Sequence, residues 1–111
     1  LSDNMQQPNY IVVLITCKDA EEAQKIAQTL LKRRQAACVN ILSDVHSHFW
    51  WQGKLDNSRE NLLVAKTKES LLPDIVKSVK KIHSYSVPEI IALPVIGGSQ
   101  EYLDWIEQEV T

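Results

Sequence analysis

Residues 37–51 read Ala37-Cys38-Val39-Asn40-Ile41-Leu42-Ser43-Asp44-Val45-His46-Ser47-His48-Phe49-Trp50-Trp51, and their alternation constrains how the whole chain folds. Val39, Ile41, Val45, Phe49 and Trp51 fall on one phase, with Asn40, Asp44, His46 and His48 on the other. That period of two predicts a strand with successive side chains on opposite faces. At about 3.3 Å per residue the segment would extend roughly 50 Å. A compact chain of 111 residues has a radius of gyration of only about 13 Å. Either the strand bends sharply, at a bulge near Ser43-Asp44, or its far end leaves the domain. Projecting Phe49, Trp50 and Trp51 would form an apolar patch that soluble monomers avoid, so we expect them to pack on another subunit. A hairpin folded back over its own sheet is the alternative.

Upstream, Tyr10 to Cys17 (YIVVLITC) is a continuous run of strand length, which predicts a central strand buried on both faces. Asp19 then starts a helix, with Glu22 in capping-box spacing and Lys32, Arg33 and Arg34 at its far end. Ala23, Ile26, Ala27, Leu30 and Leu31 form one core-facing stripe. Downstream, Gln52-Gly53-Lys54 supplies a turn and Leu62–Thr67 the returning arm of an antiparallel hairpin. Ser70 can cap a second helix with Pro73 in its first turn and Leu72, Ile75, Val76 and Val79 inward. Val87-Pro88 imposes extended backbone before a strand over Glu89–Val95, where Pro94 suits an end or an edge. After Gly97-Gly98, Ser99 can cap a short helix burying Leu103, Ile106 and Val110, with Tyr102 and Trp105 covering neighbouring surface.

The resulting β-α-β-β-α-β order with a terminal helix is an α+β, ferredoxin-like split-βαβ plan. Right-handed crossovers give the strand order 4-1-3-2 with helices on one face. The other face is left in need of cover. Residues 9–111 are read as a single domain, preceded by a flexible polar lead over residues 1–8.

With 12 Lys plus Arg against 14 Asp plus Glu, the formal net charge is −2. No basic cluster is interleaved with aromatics, which argues against nucleic acid as a partner. No apolar run approaches the roughly 20 residues that span a bilayer. Cys17 and Cys38 form neither a disulfide framework nor a zinc knuckle, so reduced thiols in a cytoplasmic-type compartment are expected, although a removed presequence is compatible with the start at Leu1. The intervening third strand would also hold these two cysteines beyond the Cα separation of about 7 Å that a disulfide allows.

In the 4-1-3-2 order Cys17 ends the first strand near Glu89, which starts the last, and His83 at the end of the second helix feeds the same corner. A thiol, an imidazole and a carboxylate together suit copper or zinc, copper being favoured by intrinsic affinity. The bland reading is a small buried cysteine, a helix-terminal histidine and a surface acid. His46 and His48, at i and i+2, are secondary metal candidates, with a solvated or subunit-contacting polar face as the alternative. A Cys17–His83 nucleophile–base pair lacks an oxyanion-forming turn and an orienting acid, so no catalytic residue is assigned.

Several pieces in combination resemble the CutA divalent-cation-tolerance family. They are Ala36-Ala37-Cys38-Val39-Asn40-Ile41, Ser47 with Phe49-Trp50-Trp51-Gln52-Gly53-Lys54, Glu60 with Leu63, Lys66 and Thr67, His83-Ser84-Tyr85-Ser86-Val87-Pro88-Glu89-Ile90-Ile91, and Tyr102-Leu103-Asp104-Trp105. The resemblance implies an intertwined homotrimer in which a long hairpin between the second and third strands reaches neighbouring subunits. It implies a non-enzymatic role in divalent cation tolerance, with copper(II) or other divalent metals bound near subunit interfaces, and it carries metal binding to Cys17 and His83 with Glu89 beside them. Structural similarity to the trimeric PII signalling proteins supplies a second reading: a small anionic metabolite in the same clefts, lined by Lys66, Tyr85 and Trp51. A scaffold for a protein partner is the third. The chain departs from the family pattern at Ser84, usually proline, at Ser86, usually acidic, and at Phe49, usually tyrosine.

Overall fold

The computed structural model describes residues 9–111, and the flexible lead expected over residues 1–8 lies outside them. Four strands, β1 (Tyr10–Cys17), β2 (Cys38–Trp51), β3 (Lys54–Lys68) and β4 (Ile90–Pro94), alternate with three helices, α1 (Ala20–Lys32), α2 (Leu72–Ile82) and α3 (Gln100–Glu109). The strands form one antiparallel sheet in the order β2-β3-β1-β4, the order that the split-βαβ plan requires.

On β1, Ile11, Val13, Ile15 and Cys17 point to the helices and are buried. They meet Leu63 and Ala65 of β3, Ala23, Ile26, Ala27 and Leu30 of α1, and Ile75 and Val79 of α2 in one core. The intervening Val12 and Leu14 are only half-buried, so β1 is not enclosed on both faces as its unbroken apolar run suggested. That second face lies on the side away from the helices. It continues through Leu62 and Val64, which pair with Thr16 and Leu14, to Ile91 and Leu93 of β4, about half exposed.

The helix ends follow the sequence unevenly. Asp19 caps α1, its Oδ1 accepting from the Glu22 amide at 2.9 Å. Ser70 does not cap α2: a 3-10 turn over Glu69–Leu71 leads into the helix, Leu71 stands at its N-cap, and Pro73 fits the first turn. Ser99 occupies the N-cap of α3 without a side-chain hydrogen bond. Ile106 and Val110 are buried beneath α3, while Tyr102 and Trp105 stack at 5.4 Å and stay partly exposed.

The returning arm of the hairpin is much longer than the predicted Leu62–Thr67, because β3 begins at Lys54. Gln52 and Gly53 both have positive φ, 50° and 79°, as a two-residue type I′ turn demands. Between Leu42↔Leu62 and Val45↔Glu60 the register slips, with Asp44 at φ 61°. This is a β-bulge at the place where the length argument put a bend. It does not fold the hairpin back, and the molecule measures 48 × 29 × 23 Å with a radius of gyration of 15.1 Å.

The bulge also corrects the facing read from the alternation. Val39 and Ile41 pair with Ala65 and Leu63 on the helix side. Beyond the extra residue, Val45, Ser47 and Phe49 pair with Glu60, Ser58 and Asp56, which belong to the phase of Leu62 and Val64 on the open face. The odd positions of residues 37–51 therefore do not share one face.

Asp44 holds a left-handed conformation that an Asp tolerates and a β-branched residue does not. Asp44→Val should cost about 1–2 kcal/mol in urea unfolding, and Asp44→Gly should stay within about 0.5 kcal/mol of the parent. Equal losses for the two variants would contradict a bulge set by backbone conformation.

Candidate functional site

The outer ribbon, the open sheet face and the loop after α2 together line an open cleft of about 740 Å³. The ribbon supplies Ser47, His48, Phe49, Trp51, Asp56, Ser58 and Glu60; β1 supplies Thr16; the loop supplies Tyr85, Ser86, Val87 and Glu89. Phe49 with Asp56 and Ser47 with Ser58 are directly opposed pairs, so the slipped register is what turns these side chains toward the loop. The extended Val87-Pro88 step carries Glu89 to the start of β4, within the same cleft.

Three carboxylates and one phenol line this space, and His48 borders it from the strand phase opposite to Phe49. Glu60 is buried at 8% exposure, and its Oε2 accepts a 2.7 Å hydrogen bond from the Tyr85 hydroxyl. Burial and that carboxylate neighbour push the Tyr85 phenol well above its ordinary value. Burial, aided by the charge of Glu60, also raises the Glu89 carboxyl above its usual range. A site that raises a carboxyl in this way disfavours two adjacent negative charges, and either a proton or a cation relieves them.

Beneath the cleft lies a second polar cluster. Burial works to raise the Glu22 carboxyl, but hydrogen bonds from the Ser84 amide, the Lys18 amide and the Ser84 hydroxyl bring it below the usual range. His83 has a fully buried side chain whose Nδ1 accepts from the Tyr85 amide at 3.0 Å. Its Nε2 therefore carries the proton and donates to the Thr16 carbonyl at 2.8 Å. Cys17 is fully buried beside this cluster, its thiol donating to the Asp19 carbonyl at 3.5 Å, and burial followed by the charge of Glu22 pushes it up to about 11.

Of the residues singled out in the sequence, the cleft gathers His48, Phe49, Trp51, Tyr85 and Glu89. Cys17, His83 and Glu89 are not assembled as a ligand set: among the described residues no three His, Cys, Asp or Glu side chains converge closely enough to hold a metal. His83 spends both ring nitrogens on backbone groups, and the Cys17 thiol is spent on the Asp19 carbonyl. His46 and His48 share one strand phase, opposite Arg59 and Asn57, and His46 lies 3.6 Å from Asp44, which also pairs with Arg59 at 3.2 Å. Lys66 lies outside the cleft and donates to Asn40 Oδ1. Trp50, 71% exposed, projects with Leu55 near the ribbon tip. Cys17 and Cys38 are both free.

Glu60, Asp56 and Glu22 were not singled out as site residues by their sequence. The first two lie in a polar stretch, Lys54 to Asn61, whose strand character shows only through its partner. Glu22 reads as half of a capping box, yet its side chain turns to Ser84, 62 positions away. Ser84, a departure from the family pattern, supplies two donors that a proline would lack.

Residues 11–109 match the family described as CutA1 divalent ion tolerance protein. The divalent-cation tolerance protein CutA of Thermus thermophilus is 45% identical over 87% of this chain and 94% of its own length. The chloroplastic protein CutA 1 of rice, Oryza sativa, is 43% identical over 87% of this chain, which spans only 55% of that relative. The solved structures agree: CutA1 from Thermus thermophilus superposes with a TM-score of 0.90 at 43% identity, covering 92% of this chain and 99% of that one. CutA1 from rice gives 0.90 at 41%, covering 93% and 94%. No helix among the described residues is long and apolar enough to cross a membrane.

The two perturbed glutamates have opposite consequences for stability. Glu22, lowered in the folded state from an ordinary 4.5, contributes stability above that value and loses it as pH falls through the folded value. Glu89, raised from 4.5, is a penalty that sets in as pH rises through that range. In urea unfolding, Glu22→Gln should be destabilising at pH 7 and less so at pH 3, whereas Glu89→Gln should be stabilising at pH 7 with the gain vanishing at pH 3. The same sign for both variants at pH 7 would refute this assignment.

Proposed function

Given that this chain belongs to the CutA1 divalent ion tolerance protein family, we propose that it is a non-enzymatic homotrimer that binds divalent cations in the acidic cleft beside the ribbon. The observation that carries this reading is that Asp56, Glu60 and Glu89 line one open cleft. Carboxylate oxygens accept most divalent ions, and intrinsic affinity ranks copper(II) first. Within one chain the donors line the space without closing a coordination shell, so side chains of a neighbouring copy complete it. The cation is cargo here, and the chain's own part is to present ionised oxygens in a partly dry site.

Assembly is supported by what one subunit leaves uncovered. Leu42, Ile91 and Leu93 on the open side of the sheet are each about half exposed, and Trp50 and Leu55 near the ribbon tip are more than 70% exposed. Isolated two-stranded ribbons are marginal in water, and apolar area of this extent marks a contact surface. A closed ring of identical copies satisfies every such surface without leaving an edge.

The family description names ion tolerance and no reaction. A protonated thiol at Cys17 and a histidine bonded through both nitrogens offer neither nucleophile nor base, which supports the non-enzymatic reading. Two free cysteines support a reducing, cytoplasmic-type compartment. The metabolite reading loses its cation, since Lys66 is outside the cleft.

Titration calorimetry with copper(II) chloride tests the site. Glu60→Gln and Glu89→Gln should each weaken binding at least about tenfold, about 1.4 kcal/mol, while Cys17→Ser binds like the parent. Parent-like affinity in both glutamine variants would move the site elsewhere. Sedimentation should show three copies, and a monomer at micromolar concentration would defeat the assembly.

A further inference from the structure

Glu22 is 8% exposed, and its side chain serves neither the α1 cap, which is made by Asp19, nor the lining of the cleft. Its Oε1 accepts from the Lys18 amide at 3.2 Å and from the Ser84 hydroxyl at 3.0 Å, and its Oε2 accepts from the Ser84 amide at 2.6 Å. One donor comes from the turn between β1 and α1; two come from the loop that follows α2. The buried carboxylate thus ties together two connections that no backbone hydrogen bond joins directly. Hydrogen bonds to an ionised acceptor are about twice as strong as neutral ones, and a carboxylate buried this deeply is tolerated only because it is so bonded.

The contacts continue to the cleft. The residue after Ser84 is Tyr85, whose amide donates to His83 Nδ1 and whose ring packs tilted on the imidazole at 4.8 Å. The Tyr85 hydroxyl ends on Glu60 Oε2. His83 is itself pinned to the Thr16 carbonyl, and Thr16 lines the cleft floor. From Glu22 through Ser84 and Tyr85 to Glu60, each step is a hydrogen bond or a shared backbone.

We propose that Glu22 and Ser84 are positioning residues for the cleft: the buried carboxylate holds Ser84, Ser84 places Tyr85, and the Tyr85 hydroxyl orients the Glu60 carboxylate toward a bound cation. The effect on cation affinity rests on the cleft being the cation site; the latch between Glu22 and the loop does not. A purely structural Glu22 would lower stability throughout and leave Tyr85 and Glu60 uncoupled from Ser84.

Two measurements on the full chain decide it. In amide hydrogen exchange, Glu22→Gln sets an NH2 against the donors of Ser84 and should speed exchange at Ser84 and Tyr85 at least about tenfold, with β1 and α2 still protected. Ser84→Thr, which keeps both donors, should behave like the parent, and Ser84→Ala, which keeps the amide alone, should fall between them. In copper(II) titrations Ser84→Ala and Tyr85→Phe should each weaken binding several-fold, and the double variant should be no weaker than Tyr85→Phe alone, since both break one chain of contacts. Additive losses, or unchanged loop exchange in Glu22→Gln, would overturn the proposal. If Glu22→Gln does not fold, exchange in Ser84→Ala against Ser84→Thr decides the same question, and equal rates in the two would overturn the latch. If the parent takes up no copper, the cation reading falls and the exchange measurements alone decide the latch.

Discussion

The antiparallel pairing of β2 with β3 is the interaction on which the rest of the structure depends. Its inner half belongs to the sheet and brings Leu63 and Ala65 of β3 into the core under the helices; its outer half has no layer over it and stretches the molecule to 48 Å. A core of this size cannot supply cover for both halves. The outer half is therefore held in shape by ladder hydrogen bonds and the tight Gln52-Gly53 turn, while its apolar side chains wait for other surfaces. The cleft exists because the ribbon leaves the sheet beside the loop after α2, and neither wall would face the other if the hairpin ended at Leu62.

Glu22 and Glu89 show how environment, more than residue type, sets the chemistry. Glu22 is buried, whereas Glu89 is exposed and only partly shielded from water by its surroundings. Glu22 is met by three directed donors and its carboxyl is lowered; partial burial first and the Glu60 charge second raise that of Glu89. The first is a satisfied charge that braces the fold, and the second is an unsatisfied one turned toward open space. Unsatisfied charge facing a cleft is where an external ion gains most from binding.

Much of the architecture was legible in the sequence. The stripe from Ala23 to Leu30, the Asp19 cap, the placement of Pro94 on an edge strand and the strand order all follow from local periodicity and connection rules, although Leu31, expected in that stripe, is exposed. The outer half of β3 was not legible, because Lys54 to Asn61 carries no apolar alternation and becomes a strand only by pairing with β2. The helix start at Leu72 was hidden because Ser70 offered a plausible cap that the 3-10 turn does not use. In the site, Glu89 was visible through topology and Tyr85 through the resemblance, whereas the fate of Cys17 and His83 depended on burial and on which backbone groups their polar atoms reach. Those are tertiary facts. Glu22 looked fully explained by its helix end, and only the structure shows its partner across the chain.

The bulge at Ser43-Asp44 carries a consequence for how chains of this fold can vary in length. It acts as a half-period phase shift between the root of the ribbon and its tip. An insertion or deletion of one residue in a single arm between the bulge and the turn would invert every side chain beyond it, exchanging the faces of Phe49 and His48. Lengthening both arms together by two residues would preserve the facing and only move the tip outward. The reach of the ribbon is thus free to drift in paired steps, while its parity is locked.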